Sequence, residues 1–213
     1  MDKKQVTVEG FNRNARLYQD RFMNLDIYNE TYEAFLAELP SSKAVVLDIG
    51  CGPGNVCAYL LATAPTLEVT GIDLAPEMIR LARINVPGAR FDVADAAELS
   101  VLETKYQGII SAFLLPYLSQ EEAKKLIADC RALLMDGGVL YLSCIERPYA
   151  DSGWERNSLN EPFHQYYHEQ VFLADSLAEN GFRLQHTFRK VFGDTQGSSP
   201  VHLILVATCN QNG

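Results

Sequence analysis

The stretch Val45-Val-Leu-Asp-Ile-Gly-Cys-Gly-Pro-Gly54 constrains this chain more than any other. Its first half is an apolar run broken only by Asp48, and a strand of that kind needs cover on both faces, as parallel sheets flanked by helices provide. Its second half sets Gly50, Gly52 and Gly54 at alternate positions directly after the strand. Glycine tolerates positive φ and lets backbone approach a ligand with no Cβ in the way. A helix expected over 53–62 then aims its free amide groups and positive end at whatever is bound there.

The remainder repeats the alternation of strand and helix. Strands are predicted over 44–49, 67–72, 91–93, 106–113 and 139–145, with helices over 76–83 and 120–134, the second ending at a Gly137-Gly138 turn. The segment 146–162 is rich in Pro, Gly, Asp, Ser and Asn, has no clear period, and reads as a loop or small lid. A helix over 168–179 and strands over 182–192 and 201–208, joined by a turn over 193–200, complete the chain as a hairpin. Residues 12–39 read as helical. The 213 residues are enough for one α/β core and too few for two typical domains.

Two carboxylates lie in register with the glycine turn. Asp73 closes the second strand, where an acidic side chain accepts from ribose hydroxyls. Asp95 follows the third strand in Phe91-Asp-Val-Ala-Asp-Ala96 and is placed to accept from an exocyclic amine. The pairing selects an adenosine-containing ligand. The glycine spacing is G-x-G-x-G rather than the G-x-G-x-x-G of dinucleotide enzymes.

These residues resemble the class I S-adenosylmethionine-dependent methyltransferases. Asp48 with its glycines matches that family's first motif, Gly71-Ile-Asp-Leu-Ala-Pro-Glu-Met-Ile79 its second, Asp95-Ala96 its third, and Leu134-Met-Asp-Gly-Gly-Val139 the turn before its fifth strand. The resemblance implies a Rossmann-like three-layer α/β sandwich: a mostly parallel seven-stranded sheet with an antiparallel last strand, plus N-terminal helices. It implies one methyltransferase domain over 1–213, with a helical cap (1–40), a cofactor-binding core (41–145), and a lid segment, helix and hairpin (146–213). The implied cofactor is S-adenosyl-L-methionine. Gly50, Cys51, Gly52 and Gly54 would pass under its methionine part, Asp48 would hold the turn and the amino group, Asp73 and Leu74 the ribose, and Asp95 and Ala96 the adenine. Ser111, Ala112 and Phe113 would lie beside the methionine moiety, and Tyr18 would line the pocket from the N-terminal stretch. Gln107 stands where many members have Asp, and Pro116-Tyr117 where many small-molecule enzymes have His.

The expected reaction is in-line methyl transfer to a small-molecule acceptor. Tyr117, His164, Tyr167 and His168 are the candidate acceptor-binding residues. Tyr117, His164 and His168 are also the candidates for a proton acceptor, and no catalytic residue is assigned. His164 and His168 are four apart and would share a face if the helix over 168–179 reached back that far, but no third ligand accompanies them, so no metal is expected. Tyr18, Phe22, Met23, Tyr28 and Tyr32 could close over a sulfonium cation or pack as core. A nicotinamide-dependent oxidoreductase and a non-catalytic S-adenosylmethionine-binding module are the alternatives. The net charge of -9 repels phosphate backbones and anionic membranes, so neither is expected as a partner. Five cysteines without a CxxC pair, together with a polar N-terminus, point to reduced thiols and a cytoplasmic setting.

Overall fold

The computed structural model describes residues 2–191 and 200–209. Helix α1 spans Lys3–Phe22 and is capped by Asp2, whose carboxylate accepts from the Lys4 amide. It starts nine residues before the expected position. Val6, Thr7, Val8 and Gly10 are poor helix formers, and the cap together with packing of Ala15 against Met78 and Leu81 outweighs them. The chain breaks at Met23–Tyr28 before α2 (Asn29–Glu38), so the expected single helical stretch is two helices.

The core alternates β1 (Val45–Ile49), α3 (Asn55–Thr63), β2 (Glu68–Asp73), α4 (Pro76–Asn85), β3 (Arg90–Val93) and β4 (Tyr106–Ser111). It continues with α5 (Gln120–Leu133) and β5 (Leu134–Ile145). Pro76 occupies the first turn of α4, where its missing N–H costs nothing. Ser119 and Glu122 form a reciprocal capping box at the start of α5. The glycine pair expected to end that helix as a turn instead lies inside β5: Gly137 takes φ +74°, and the register against β4 shifts between Tyr106 and Gly108. An irregularity within the strand absorbs the turn.

The segment 146–162, expected to be a loop or small lid, holds the short strand β6 (Gly153–Arg156) and ends at the first residue of β7 (Pro162–Gln165), the two paired antiparallel as a separate two-stranded sheet. Each strand is four residues long, too short for period-two alternation to be read. Helix α6 (Gln170–Glu179) leads to β8 (Phe182–Val191) and β9 (Val201–Cys209). These two pair antiparallel, as the expected hairpin requires. Its turn, apart from Pro200, lies outside the described residues.

The main sheet runs β3-β2-β1-β4-β5-β9-β8, with β9 antiparallel to both neighbours. Leu47, Ile49, Ile109 and Leu140 pack under α5 and α6, while Val46, Ile110 and Tyr141 face α2 and α3 on the opposite side. Strand order reverses between β1 and β4, and in open α/β sheets ligands bind beyond the strands' carboxyl ends at that reversal. No helix among the described residues is long and apolar enough to cross a membrane.

Candidate functional site

A cavity of about 400 Å³ opens at that reversal, bounded by the β1 glycine turn, the ends of β2 and β4, and helix α1. Gly50 and Gly52 form its floor with φ +74° and +53°. Both values lie where an L side chain is strained. Asp73 fastens this floor: its Oδ2 accepts from the Gly52 amide at 2.9 Å and its Oδ1 from the Ala75 amide at 2.8 Å. Burial raises the Asp73 carboxyl above its ordinary value, and the amides of Ala75, Gly52 and Leu74 hold back part of that rise.

Leu74, Asp95 and Ala96 line one end of the cavity, and Ala112 and Phe113 another side. Asp95 caps the 3-10 turn Ala96–Val101 and accepts from the Ala97 amide at 2.9 Å. Its other oxygen is paired with Lys4 of α1. Burial pushes the Asp95 carboxyl up, but the Lys4 hydrogen bond, the Ala97 amide and the charges of Lys4 and Lys125 prevail and hold it below the usual range. Phe113, which follows β4 instead of ending it, adopts φ +58°. Its amide donates to Ser143 Oγ at 2.8 Å, and its ring stands edge-on to His202 at 4.8 Å.

Three rings close the side toward α1. Phe11 meets Tyr18 at 5.7 Å and Tyr117 at 5.2 Å, both edge to face. Burial pushes the Tyr117 phenol up to about 12, with the Asp73 charge adding to it. Tyr18 is raised further, by burial first and then by Tyr117 and Asp73. Both are phenols, not phenolates, at neutral pH.

Ten of the residues named from sequence therefore share one cavity: Tyr18, Gly50, Gly52, Asp73, Leu74, Asp95, Ala96, Ala112, Phe113 and Tyr117. Four stand behind its wall. Asp48 is fully buried, with Oδ2 accepting from the Cys57 thiol at 3.2 Å and Oδ1 without a partner. Cys51 is buried with its sulfur turned toward Gly71. Gly54 has φ +88°, and a Cβ there would lie 3.1 Å from Val86, so packing of α3 against α4 already demands glycine. Ser111 is buried beside Asp48's neighbour in the sheet, and its hydroxyl is also unpartnered.

The three residues expected from the later segment are not at this wall. Helix α6 begins at Gln170, so His164, in β7, and His168, in extended chain, share no helix face. His168 is fully buried, with Nε2 at 3.0 Å from the carbonyls of both Leu115 and Leu118. That geometry places the proton on Nε2, and burial keeps the ring neutral. Its work is to anchor the turn that carries Tyr117. His164 packs against Trp154 and Tyr166. Tyr167 is buried with its hydroxyl paired to Glu155 and Arg147. Tyr166 lines the cavity instead and accepts from Lys3 Nζ at 2.9 Å.

Sequence reasoning missed Lys4, Thr7, Val8 and Phe11, which line the cavity from α1. The signal was present: Lys4, Val8, Phe11, Ala15 and Tyr18 follow helical spacing along one face. Starting the helix at residue 12 hid it.

Residues 46–138 match the family model described as a methyltransferase domain. The chain is 42% identical over 66 residues to a trans-aconitate 2-methyltransferase of Methylobacterium nodulans, covering 30% of this chain and 26% of that protein. It is 35% identical over 109 residues to the enzyme of that name from Variovorax paradoxus, covering 51% and 41%. The matched part is thus less than half the length of either relative. Among solved structures, magnesium protoporphyrin IX methyltransferase from Synechocystis PCC 6803 with bound SAH superposes with a TM-score of 0.74 over 98% of this chain and 100% of that one, at 21% identity. That likeness establishes the fold.

Proposed function

We propose that this chain, whose residues 46–138 match the methyltransferase-domain family model, transfers a methyl group from S-adenosyl-L-methionine to a small-molecule acceptor. The observation that carries this reading is that the glycine floor, Asp73 and Asp95 meet around one cavity. Each residue alone is common, and their convergence beyond the carboxyl ends of the strands is not. The volume suits a nucleoside joined to an amino acid.

In this reading Gly50 and Gly52 let the backbone pass beneath the amino-acid portion, and Asp48 supports the turn and the amino group from behind. Cys51, Gly54 and Ser111 act one layer back, shaping the floor. Asp73 and Leu74 hold the ribose, and Asp95 and Ala96 the adenine edge. Tyr18, Phe11 and Phe113 exclude water and present ring faces that attract a sulfonium. The cofactor supplies an activated methyl and its leaving group, so the chain contributes chiefly position and desolvation. The proposal takes in the whole described chain as one domain with α1 as its cap, and a cytoplasmic setting.

The carrying observation is tested by calorimetry with S-adenosylmethionine. Asp73→Ala removes the carboxylate that binds both the floor and the ribose, and Gly52→Val places a branched side chain at φ +53° in the floor. Each should reduce affinity by about tenfold or more. Unchanged affinity in both variants would overturn the site.

A further inference from the structure

A second cavity, about 250 Å³ in volume, lies between α1 and the β6–β7 hairpin. It shares Thr7, Phe11, Tyr18 and Tyr117 with the first, so the three rings form a common wall. Its far side is Leu159 and Phe163 of the hairpin. We propose that this chamber is the methyl-acceptor site, and that it takes a planar, largely apolar ring compound whose nucleophile is a nitrogen lone pair. The inference rests on the methyl-transfer reading above and adds the place and chemical class of the acceptor.

Position argues first. An acceptor must approach the activated methyl from the side opposite the sulfur, and the shared wall is where the two cavities meet. Shape follows, because edge-to-face rings on one side and Leu159 and Phe163 on the other favour a flat apolar body. The chamber is held in form. Asn157 Oδ1 accepts from the amides of Leu159 and Glu161. Glu161 then clamps α1 through Arg13 at 2.7 Å and Asn14 at 2.6 Å.

Proton chemistry narrows the nucleophile. Among the described residues lining either cavity there is no histidine and no cysteine. Tyr18 and Tyr117 already hold their protons. Glu161 is held below the usual carboxylate range by Asn157, then Asn14, then Arg13, which makes it a poor base. Asp73 is engaged by two amides, Asp95 by Lys4, Asp2 by the Lys4 amide, and Glu122 by the Ser119 amide and hydroxyl. An acceptor hydroxyl therefore has nothing to take its proton. A carboxylate acceptor needs no base, but it would have to be desolvated against an apolar wall while Arg13 is engaged by Glu161 and Arg21 lies over the Phe22 ring. A neutral ring nitrogen or arylamine meets neither obstacle. Its lone pair forms the N–C bond as the C–S bond breaks, and the C–S electron pair stays on sulfur as a neutral thioether; a methylated arylamine then releases its proton to water, while a methylated ring nitrogen keeps its positive charge.

The test uses the full chain and tritiated-methyl S-adenosylmethionine, with 6-aminoquinoline, 2-naphthol and a linear tricarboxylate offered as acceptors. Leu159→Trp fills the chamber from an exposed hairpin position and leaves the fold intact, and calorimetry checks its cofactor affinity. Saturable transfer to 6-aminoquinoline, with KM raised about fivefold or more in Leu159→Trp and cofactor affinity unchanged, is the expected result. Transfer only to the hydroxyl or carboxylate compound, no transfer to 6-aminoquinoline, or a KM indifferent to Leu159→Trp overturns the proposal. Absence of cofactor binding in the wild-type chain would instead overturn the methyl-transfer reading beneath it.

Discussion

Lys4, in the first turn of α1, pairs with Asp95, the carboxylate beyond the end of β3 that closes the far end of the cavity. The helix N-terminus thus covers the position where an adenine amine would find its acceptor. In the proposed reading, Lys4 and that amine would compete for one carboxylate.

Lys4→Met should therefore bind S-adenosylmethionine about twofold to fivefold more tightly, since an exposed ion pair is worth roughly 0.2–1 kcal/mol. Salt screens such pairs, so the wild-type chain should gain affinity as ionic strength rises and the variant should not. Calorimetry at low and high salt measures both. Weaker binding in Lys4→Met would show that the lysine helps to hold the cofactor.

The Tyr18 ring stands over the glycine floor, its Cε1 3.7 Å from where a Cβ on Gly52 would lie, and in the proposed reading it is the ring that attracts the sulfonium. Tyr18→Phe should keep cofactor affinity within about twofold, while Tyr18→Leu should lose about fivefold, the ~1 kcal/mol of a cation–π contact. Loss of affinity in the phenylalanine variant would transfer the role to the hydroxyl.

Gly71 leaves no room for a side chain. A Cβ there would stand 2.7 Å from the Phe91 ring and 2.9 Å from Cys51 Sγ. Gly71→Ala should cost roughly 1–3 kcal/mol in denaturant unfolding, the usual cost of overpacking. It should also weaken cofactor binding, because Cys51 can yield only by moving the turn between Gly50 and Gly52. A variant as stable as wild type would show that Phe91 can move aside.

Two buried groups give opposite pH dependences. Burial raises Asp48 to about 7, the Cys57 thiol offsetting part of the rise and Asp73 adding to it. From pH roughly 4 to 7, the folded chain thus keeps a proton that the unfolded chain has released, and stability falls as pH rises. Burial lowers His202 from 6.5 to about 4. Between those values the unfolded chain holds the extra proton, so this contribution rises with pH. Tyr28 bonds His202 Nδ1 at 2.5 Å, and Phe113 stands against the ring. The two slopes oppose each other in the wild-type chain. Urea unfolding of the cofactor-free protein should show stability rising with pH in Asp48→Asn and falling in His202→Gln across this window. Parallel profiles for the two variants would contradict the assignment.

Much of the core could be read from local pattern. The apolar run of β1, the glycines after it, Pro76 opening α4 and the Ser119–Glu122 box are contacts between near neighbours in sequence, so residue type and spacing carry the information. The β6–β7 hairpin could not be read in this way. Trp154 pairs opposite His164 and Arg156 opposite Pro162, and four-residue strands show no period outside that pairing. The early start of α1 was lost for a related reason: its β-branched residues and glycine disfavour a helix locally, and only packing against α4 makes one.

The sequence alone determined that a glycine turn after a buried strand would meet carboxylates at the ends of the next two, because strand order and backbone sterics leave few other arrangements. Only the tertiary structure decided which named residues reach the cavity. Asp48 and Cys51 lie next to the floor glycines in sequence yet are buried away from the cavity, Asp48 against the Cys57 thiol and Cys51 toward Gly71, because packing between the strands and α3 takes up both side chains. His168 proved to be an anchor for the turn that carries Tyr117, since two carbonyls 53 and 50 residues earlier in the chain converge on its Nε2. Lys4 reached Asp95 across 91 positions of sequence. No spacing rule links residues so far apart, and their meeting depends on how α1 lies over the folded sheet.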